Sequence, residues 1–158
     1  MLFHLQGNVG ANEGILNFEL MSQLIEGSSV NCSQIVPQEH STSVTLDTGV
    51  FLQACKTAGI FARSEANIVH LAIDPEANQL KVTATSAEMG ESEIELDAAV
   101  EGEPIELCFN VRSLIDALSA MDGGQVTLKL TTQSSPALLQ AAGSDDFVHV
   151  IMPLVVKG

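Results

Sequence analysis

The sequence predicts an α+β fold, two helices laid on one face of a mostly antiparallel sheet, and three observations carry that prediction. Within residues 103–121 the hydrophobic spacing changes period. Ile105, Leu107 and Phe109 alternate with Glu106 and Cys108, then Val111, Leu114, Ile115, Leu118 and Met121 recur at helical spacing. The order strand, helix, strand, strand, strand occurs twice between Val44 and Pro153. The polar residues of the intervening strands also alternate, as expected where a sheet keeps one face in water.

Taken in order, residues 2–6 and 15–25 read as two strands joined by the turn formers of 7–14, a hairpin. Residues 26–40, EGSSVNCSQIVPQEH, are small and polar and read as a linker. Val44 and Leu46 alternate in a short strand, Asp47-Thr48 supplies a cap, and a helix follows over about 49–62 with Phe51, Ala54, Cys55 and Ala58 as its buried stripe. Three strands come next, at 68–73, 79–85 and 91–97, separated by 74–78 and 86–90. At the second helix Asn110 can accept hydrogen bonds from the first-turn amides, while Arg112, Ser113, Asp116 and Ser119 form the polar face. Gly123-Gly124 ends that helix by allowing positive φ. Strands at 125–131, 135–141 and 147–153 complete the second set. An offset of about 62 residues superposes Thr48 on Asn110, Leu52 on Leu114 and Cys55 on Ala117. The expected boundary separates a hairpin and linker, 1–40, from a domain at 41–158.

A chain of 158 residues with 46% hydrophobic content has ample material for a core. Its net charge of -14, from 20 acidic against 6 basic residues, argues against a protein held to nucleic acid by a broad basic surface. Cys32, Cys55 and Cys108 are odd in number and form no CxxC pair, so neither a disulfide framework nor a zinc knot is indicated, and no cofactor is expected. The opening MLFHLQGNVG has no basic n-region, and no run of about 18 apolar residues occurs, so the expectation is a cytoplasmic chain without a membrane partner.

Four segments carry a family resemblance: QLIEG at 23–27, CFNVRSLIDAL at 108–118, SPALL at 135–139 and FVHVIMPL at 147–154. Together they resemble the C-terminal part of the bacterial DNA sliding clamp, the β subunit of DNA polymerase III. The likeness implies the DNA-clamp fold, two β-α-β-β-β repeats, in a last domain preceded by the final hairpin of a middle domain. It implies a DNA polymerase processivity factor, or a truncated form of one, that is not an enzyme. In that family two subunits close head to tail into a ring around duplex DNA, so duplex is a partner only within a closed ring.

The resemblance also assigns residues. Ile35, Asn110, Pro136, Leu139, Val150, Ile151, Met152, Pro153 and Leu154 correspond to walls of the groove that takes extended peptides from polymerase and clamp loader. Lys56, Arg63 and Arg112 correspond to DNA-facing cations, and Ile60 and Phe61 to the subunit interface, where self-association is implied and both would be left exposed. Read from the residues alone, the same aliphatics are ordinary core and the same cations are solvated helix faces. The family's aromatic-Pro-x-aromatic anchor is absent here: Ser29-Val30-Asn31-Cys32 follows Ser28. Ser113 stands where the helix often has an aromatic, and Val155 where a basic residue is usual.

Two other classes stay open at this stage. One is a stand-alone acidic interaction module without clamp activity, which peptide binding or ring formation would separate from the first. The other is a hydrolase with a spatially assembled triad, since triads are defined by geometry; His4, His40, His70 and His149 are scattered and no GxSxG, HExxH or P-loop occurs.

Overall fold

In the computed structural model, residues 5, 6, 19, 20, 27, 39–121, 123–143 and 148–155 are described. The chain divides into two units, Met1–Asn31 and Cys32–Gly158. In the first, strand β1 (Leu5–Gln6) pairs antiparallel with β2 (Glu19–Leu20), Leu5 opposite Leu20, as a hairpin requires. The remainder of that hairpin and the linker up to residue 38, Gly27 apart, lie outside the described residues.

The second unit begins with β3 (Thr42–Asp47), which delivers the chain into α1 (Thr48–Ala62). Asp47 keeps extended backbone and its Oδ1 accepts the Val50 N–H at 2.9 Å, so the cap reads as the sequence implies. Strands β4 (Ile68–Asp74), β5 (Gln79–Ser86) and β6 (Gly90–Asp97) follow. After Ala98 the chain forms β7 (Ala99–Gly102), a short strand that sequence alternation does not reveal. Then come β8 (Ile105–Asn110), α2 (Val111–Ser119), β9 (Gln125–Leu130), β10 (Ala137–Ala141) and β11 (Val148–Ile151). Asn110 caps α2 through Oδ1, which accepts the Arg112 N–H at 3.0 Å. The two caps are Asp47 and Asn110, so the repeats superpose with one residue more of offset than the alignment of Thr48 on Asn110 gives.

The described strands of this unit resolve into two sheets in place of one continuous sheet. Their orders are β11-β10-β9-β3-β7 and β6-β5-β4-β8, and every pairing is antiparallel. Each repeat lends its first strand to the other: β3 pairs with β9, and β8 pairs with β4. The corners match as well. Thr48 N–H donates to the Gly124 carbonyl at 2.9 Å, and Val111 N–H to the Asn67 carbonyl at 2.8 Å. Repeat two reaches its corner through positive φ at Gly123 and Gly124, whereas repeat one uses Ala66 (φ 54°) and Asn67 (φ 60°).

Because the first strands are exchanged, one core forms. Phe51, Cys55 and Ala58 of α1 and Val111, Leu114 and Leu118 of α2 join Leu71, Leu80, Val82, Phe109, Leu128 and Leu139 of both sheets. Gly59 brings the helices together, for a Cβ there would touch Val111 and Ile115 at 3.5 and 3.7 Å.

Candidate functional site

Pro153 has no N–H to give a ladder, and β11 stops before it. The chain does not drift away there. Leu154 N–H donates to the Cys108 carbonyl at 2.7 Å, an antiparallel bridge that fastens the segment after β11 to β8. Strand register then decides which C-terminal side chains face out. Ala137 pairs with Ile151 and Leu138 with Val150, and Ala137, Leu139 and Ile151 are all core. Leu139 and Ile151 therefore back the expected groove wall from inside. Met152 is 58% exposed and Leu154 39%; Pro136 and Val150 are half-buried and Pro153 is buried. Pro136 precedes the Ala137–Ile151 pair and Met152 follows it, so both lie at one end of that ribbon. Asn110 is half-buried and spends its Oδ1 on the α2 cap, and Ile35 lies outside the described residues.

The expected cations are all exposed: Lys56 midway along α1, Arg63 at its C-terminal cap and Arg112 in the first turn of α2. Arg63 suits the negative end of a helix dipole, whereas Arg112 sits at the positive end with no acidic residue in that turn to offset it. Such a placement costs about 0.3–1 kcal/mol. Asp116 is exposed on the same helix. Of the two interface candidates, Ile60 is 50% exposed but Phe61 is half-buried against the core, contrary to the expectation that both would be exposed. Phe61 follows Ala58 by three positions and so flanks the buried stripe, while Ile60 points the other way.

The acidic residues of β6 are plain in the sequence, but its edge position and the apolar groove beside it are not. Among the described residues this is an edge strand; Glu91, Glu93, Glu95 and Asp97 are exposed on one side of it, and Ile94 and Leu96 face α1. Lys81 on β5 lies 3.1 Å from Glu93 and 3.4 Å from Glu95; its hydrogen bonds to both hold its ammonium above the usual range. Between α1 and β6 runs an open apolar groove of about 490 Å³, lined by Val50, Ala54, Thr57, Ile94 and Leu96 among others. Val50 falls outside the helical stripe, and that was the one available signal. The end of α1 is held near the β5–β6 turn, where Ser64 Oγ donates to Ser86 Oγ at 3.1 Å.

The thiols differ. Burial pushes Cys55 up to about 12. Cys108, half-buried with Sγ 3.2 Å from His70 Nδ1, is also raised, first by burial and then by the Glu106 carboxylate. No helix among the described residues is long and apolar enough to cross a membrane.

Comparison with known proteins gives a consistent result. Residues 33–155 match the family described as DNA polymerase III beta subunit, C-terminal domain. The chain is 28% identical over 156 residues to the beta sliding clamp of Synechococcus elongatus, covering 99% of this chain and 41% of that protein. It is 32% identical over 149 residues to the beta sliding clamp of Pseudomonas putida, covering 94% and 40%. Among solved structures, the Bacillus subtilis DNA polymerase sliding clamp superposes with a TM-score of 0.79 at 27% identity, over 87% of this chain and 36% of that one. The DNA polymerase III beta subunit of Thermotoga maritima superposes at 0.81 and 17% identity, over 91% and 39%, a likeness of fold alone. The chain thus spans about two fifths of the length of the curated relatives it matches.

Proposed function

Because the chain belongs to the C-terminal domain family of the DNA polymerase III beta protein, we propose that it acts as part of a sliding clamp, a non-catalytic processivity factor of the cytoplasm. Its C-terminal corner takes extended peptides of the polymerase and clamp loader. The observation that carries this is the coincidence of the family match with large apolar side chains, Met152 and Leu154, held in water at the end of a strand tied to β8. Val150, Pro136 and Pro153 flank them, Asn110 contributes at the rim, Leu139 and Ile151 give the floor its stiffness, and the family resemblance adds Ile35, which lies outside the described residues.

Ring closure follows from the same reading. The edge of β6, unpaired among the described residues, the groove beside Val50, Ile94 and Leu96, and the carboxylate row at Glu91, Glu93, Glu95 and Asp97 suit a strand that is aliphatic on one side and basic on the other. Two copies of β6 paired with each other would set carboxylates against carboxylates, which favours a heterologous, head-to-tail contact. Ile60 and Phe61, at the neighbouring end of α1, extend that contact. Within a closed ring Lys56, Arg63 and Arg112 meet phosphates loosely, and the unfavourable dipole position of Arg112 supports a role for its charge. An open chain of net charge -14 holding three such cations should not be retained on duplex at physiological salt, where each contact adds only about one unit of salt slope.

The charge also favours a second reading, an acidic interaction module, and peptide binding separates the two. Full burial of a Met side chain contributes about 1.5–3 kcal/mol, so covering the exposed 58% of Met152 is worth about 1–2 kcal/mol, or roughly five- to thirtyfold in Kd. A Gln-Leu-x-Leu-Phe peptide titrated by fluorescence anisotropy should bind the wild type and lose binding to Met152→Asp, with far-UV circular dichroism unchanged. Equal affinity for both proteins would overturn the groove assignment.

A further inference from the structure

We propose that the outer face of the β6-β5-β4-β8 sheet carries a furrow for the basic flank of an extended peptide whose apolar anchors sit on Met152 and Leu154. The chain then selects partners with Lys or Arg beside their apolar residues, a selectivity that rests on the peptide reading of the C-terminal corner. Leu154 bridges antiparallel to Cys108, so the exposed aliphatics after β11 lie alongside β8. One same-face step along β8 from Cys108 is Glu106, opposite Ala72, and one further step along β4 from Ala72 is Asp74. Both carboxylates are exposed. Two concavities, of about 700 Å³ and 940 Å³, meet on this face and share Ala72, Lys81, Glu106 and Gln133. Leu154 and Val155 wall the first, and Asp74, Glu76 and Glu103 wall the second. The furrow therefore begins apolar where the corner ends, and turns acidic.

Charge decides the occupant. Lys81 is the one Lys or Arg among the described lining residues, and Glu93 at 3.1 Å and Glu95 at 3.4 Å already offset it. Asp74, Glu76, Glu103 and Glu106 form no ion pair among the described residues. Val155, 75% exposed, puts a neutral side chain at the mouth. A flanking Lys or Arg thus meets uncompensated carboxylates, whereas a flanking Asp or Glu meets repulsion. An extended peptide advances about 3.2–3.4 Å per residue, as the strands beneath it do. Basic side chains two and four residues from the one resting on Leu154 therefore fall beside Glu106 and Asp74.

Fluorescence anisotropy on the full chain compares three peptides: Gln-Leu-x-Leu-Phe alone, the same peptide flanked at both ends by Lys-Ser-Lys-Ser, and the same flanked by Glu-Ser-Glu-Ser. At low salt the lysine form should bind about tenfold tighter than the glutamate form, and the gap should narrow as salt is added. Glu106→Lys should cut that gap about threefold or more. Asp116→Lys makes the same charge change at an exposed position of α2 and should leave the gap intact. Equal affinity of the two flanked forms, or a gap that both variants narrow alike, would overturn the furrow and leave the corner reading standing. If no form binds, the corner reading has failed and the furrow with it. Should Glu106→Lys misfold by circular dichroism, Glu106→Gln carries the same comparison with a smaller change in charge.

Discussion

Gly102 is where the fold leaves least room for a side chain, and replacing it tests how β7 is held. The residue ends β7 at φ +110° and pairs with Thr42. A Cβ placed there would stand 2.0 Å from the Ser41 carbonyl oxygen and 2.8 Å from Thr42 Cα. Those atoms are backbone, and β3 is clamped between β9 and β7, so they cannot swing aside. The Thr42 hydroxyl ties the next residue too, donating to the Glu103 carbonyl at 2.8 Å and accepting its N–H at 3.3 Å. Overpacking costs about 1–3 kcal/mol and a strained positive φ about 1–3 kcal/mol, so Gly102→Ala should lose about 2–6 kcal/mol. That is a large share of the usual 5–15 kcal/mol. Gly90→Ala is the matched control: φ is +86°, yet nothing lies within 4 Å of its added Cβ. Guanidinium unfolding followed by far-UV circular dichroism should show a lower midpoint for both variants, with Gly102→Ala lower by about a further 1–3 kcal/mol. Equal losses would refute the steric argument, leaving only the torsional cost.

Local features were legible because they depend on neighbours in sequence. Asp47 and Asn110 cap their helices as their side chains allow, and Phe51, Ala54, Cys55 and Ala58 face the core as their spacing requires. Pairing was not legible, because nothing within residues 42–47 says that β3 belongs beside β9 and β7, in the other repeat's half. Short β7 owes its strand character to β3, and its sequence AVEG carries too little alternation to announce it. The candidate corner shows the same limit. Leu139 and Met152 are equally apolar in sequence, and only the register that turns Leu139 into the core leaves Met152 in water. His70 and Cys108 likewise meet through register and carry no motif. What separates readable from unreadable is therefore whether the deciding contact is local or crosses between the repeats.

Three further outcomes follow from the same geometry. Ala66→Gly should stabilise the chain by about 0.5–1 kcal/mol in thermal melts, because Ala66 holds φ 54° where repeat two uses glycine, and relief of about 1–2 kcal/mol exceeds part of glycine's entropic cost. Stability should fall above pH 9 through Cys55: the unfolded thiol ionises near its ordinary 9.0, whereas the folded thiol stays protonated until about 12. The unfolded state then binds fewer protons, so stability declines by about 1.4 kcal/mol per pH unit in that window, and Cys55→Ala should remove that part of the slope in pH-dependent denaturant melts. The last outcome concerns where the folding unit lies. Because each repeat lends its first strand to the other, neither half can complete a sheet alone, yet residues 41–158 contain both halves and the whole described core. The contact shown to be lost on starting at Ser41 is the Thr131 hydroxyl to the Glu39 carbonyl, at 2.9 Å, worth about 0.5–1.5 kcal/mol. A chain starting at Ser41 should therefore melt cooperatively within a few degrees of the full chain, while one ending at Ala98 should remain unfolded for want of β8 and β9. If the unit starting at Ser41 is unfolded, the first 40 residues belong to the core; if residues 41–98 fold alone, the strand exchange does not hold the repeats together.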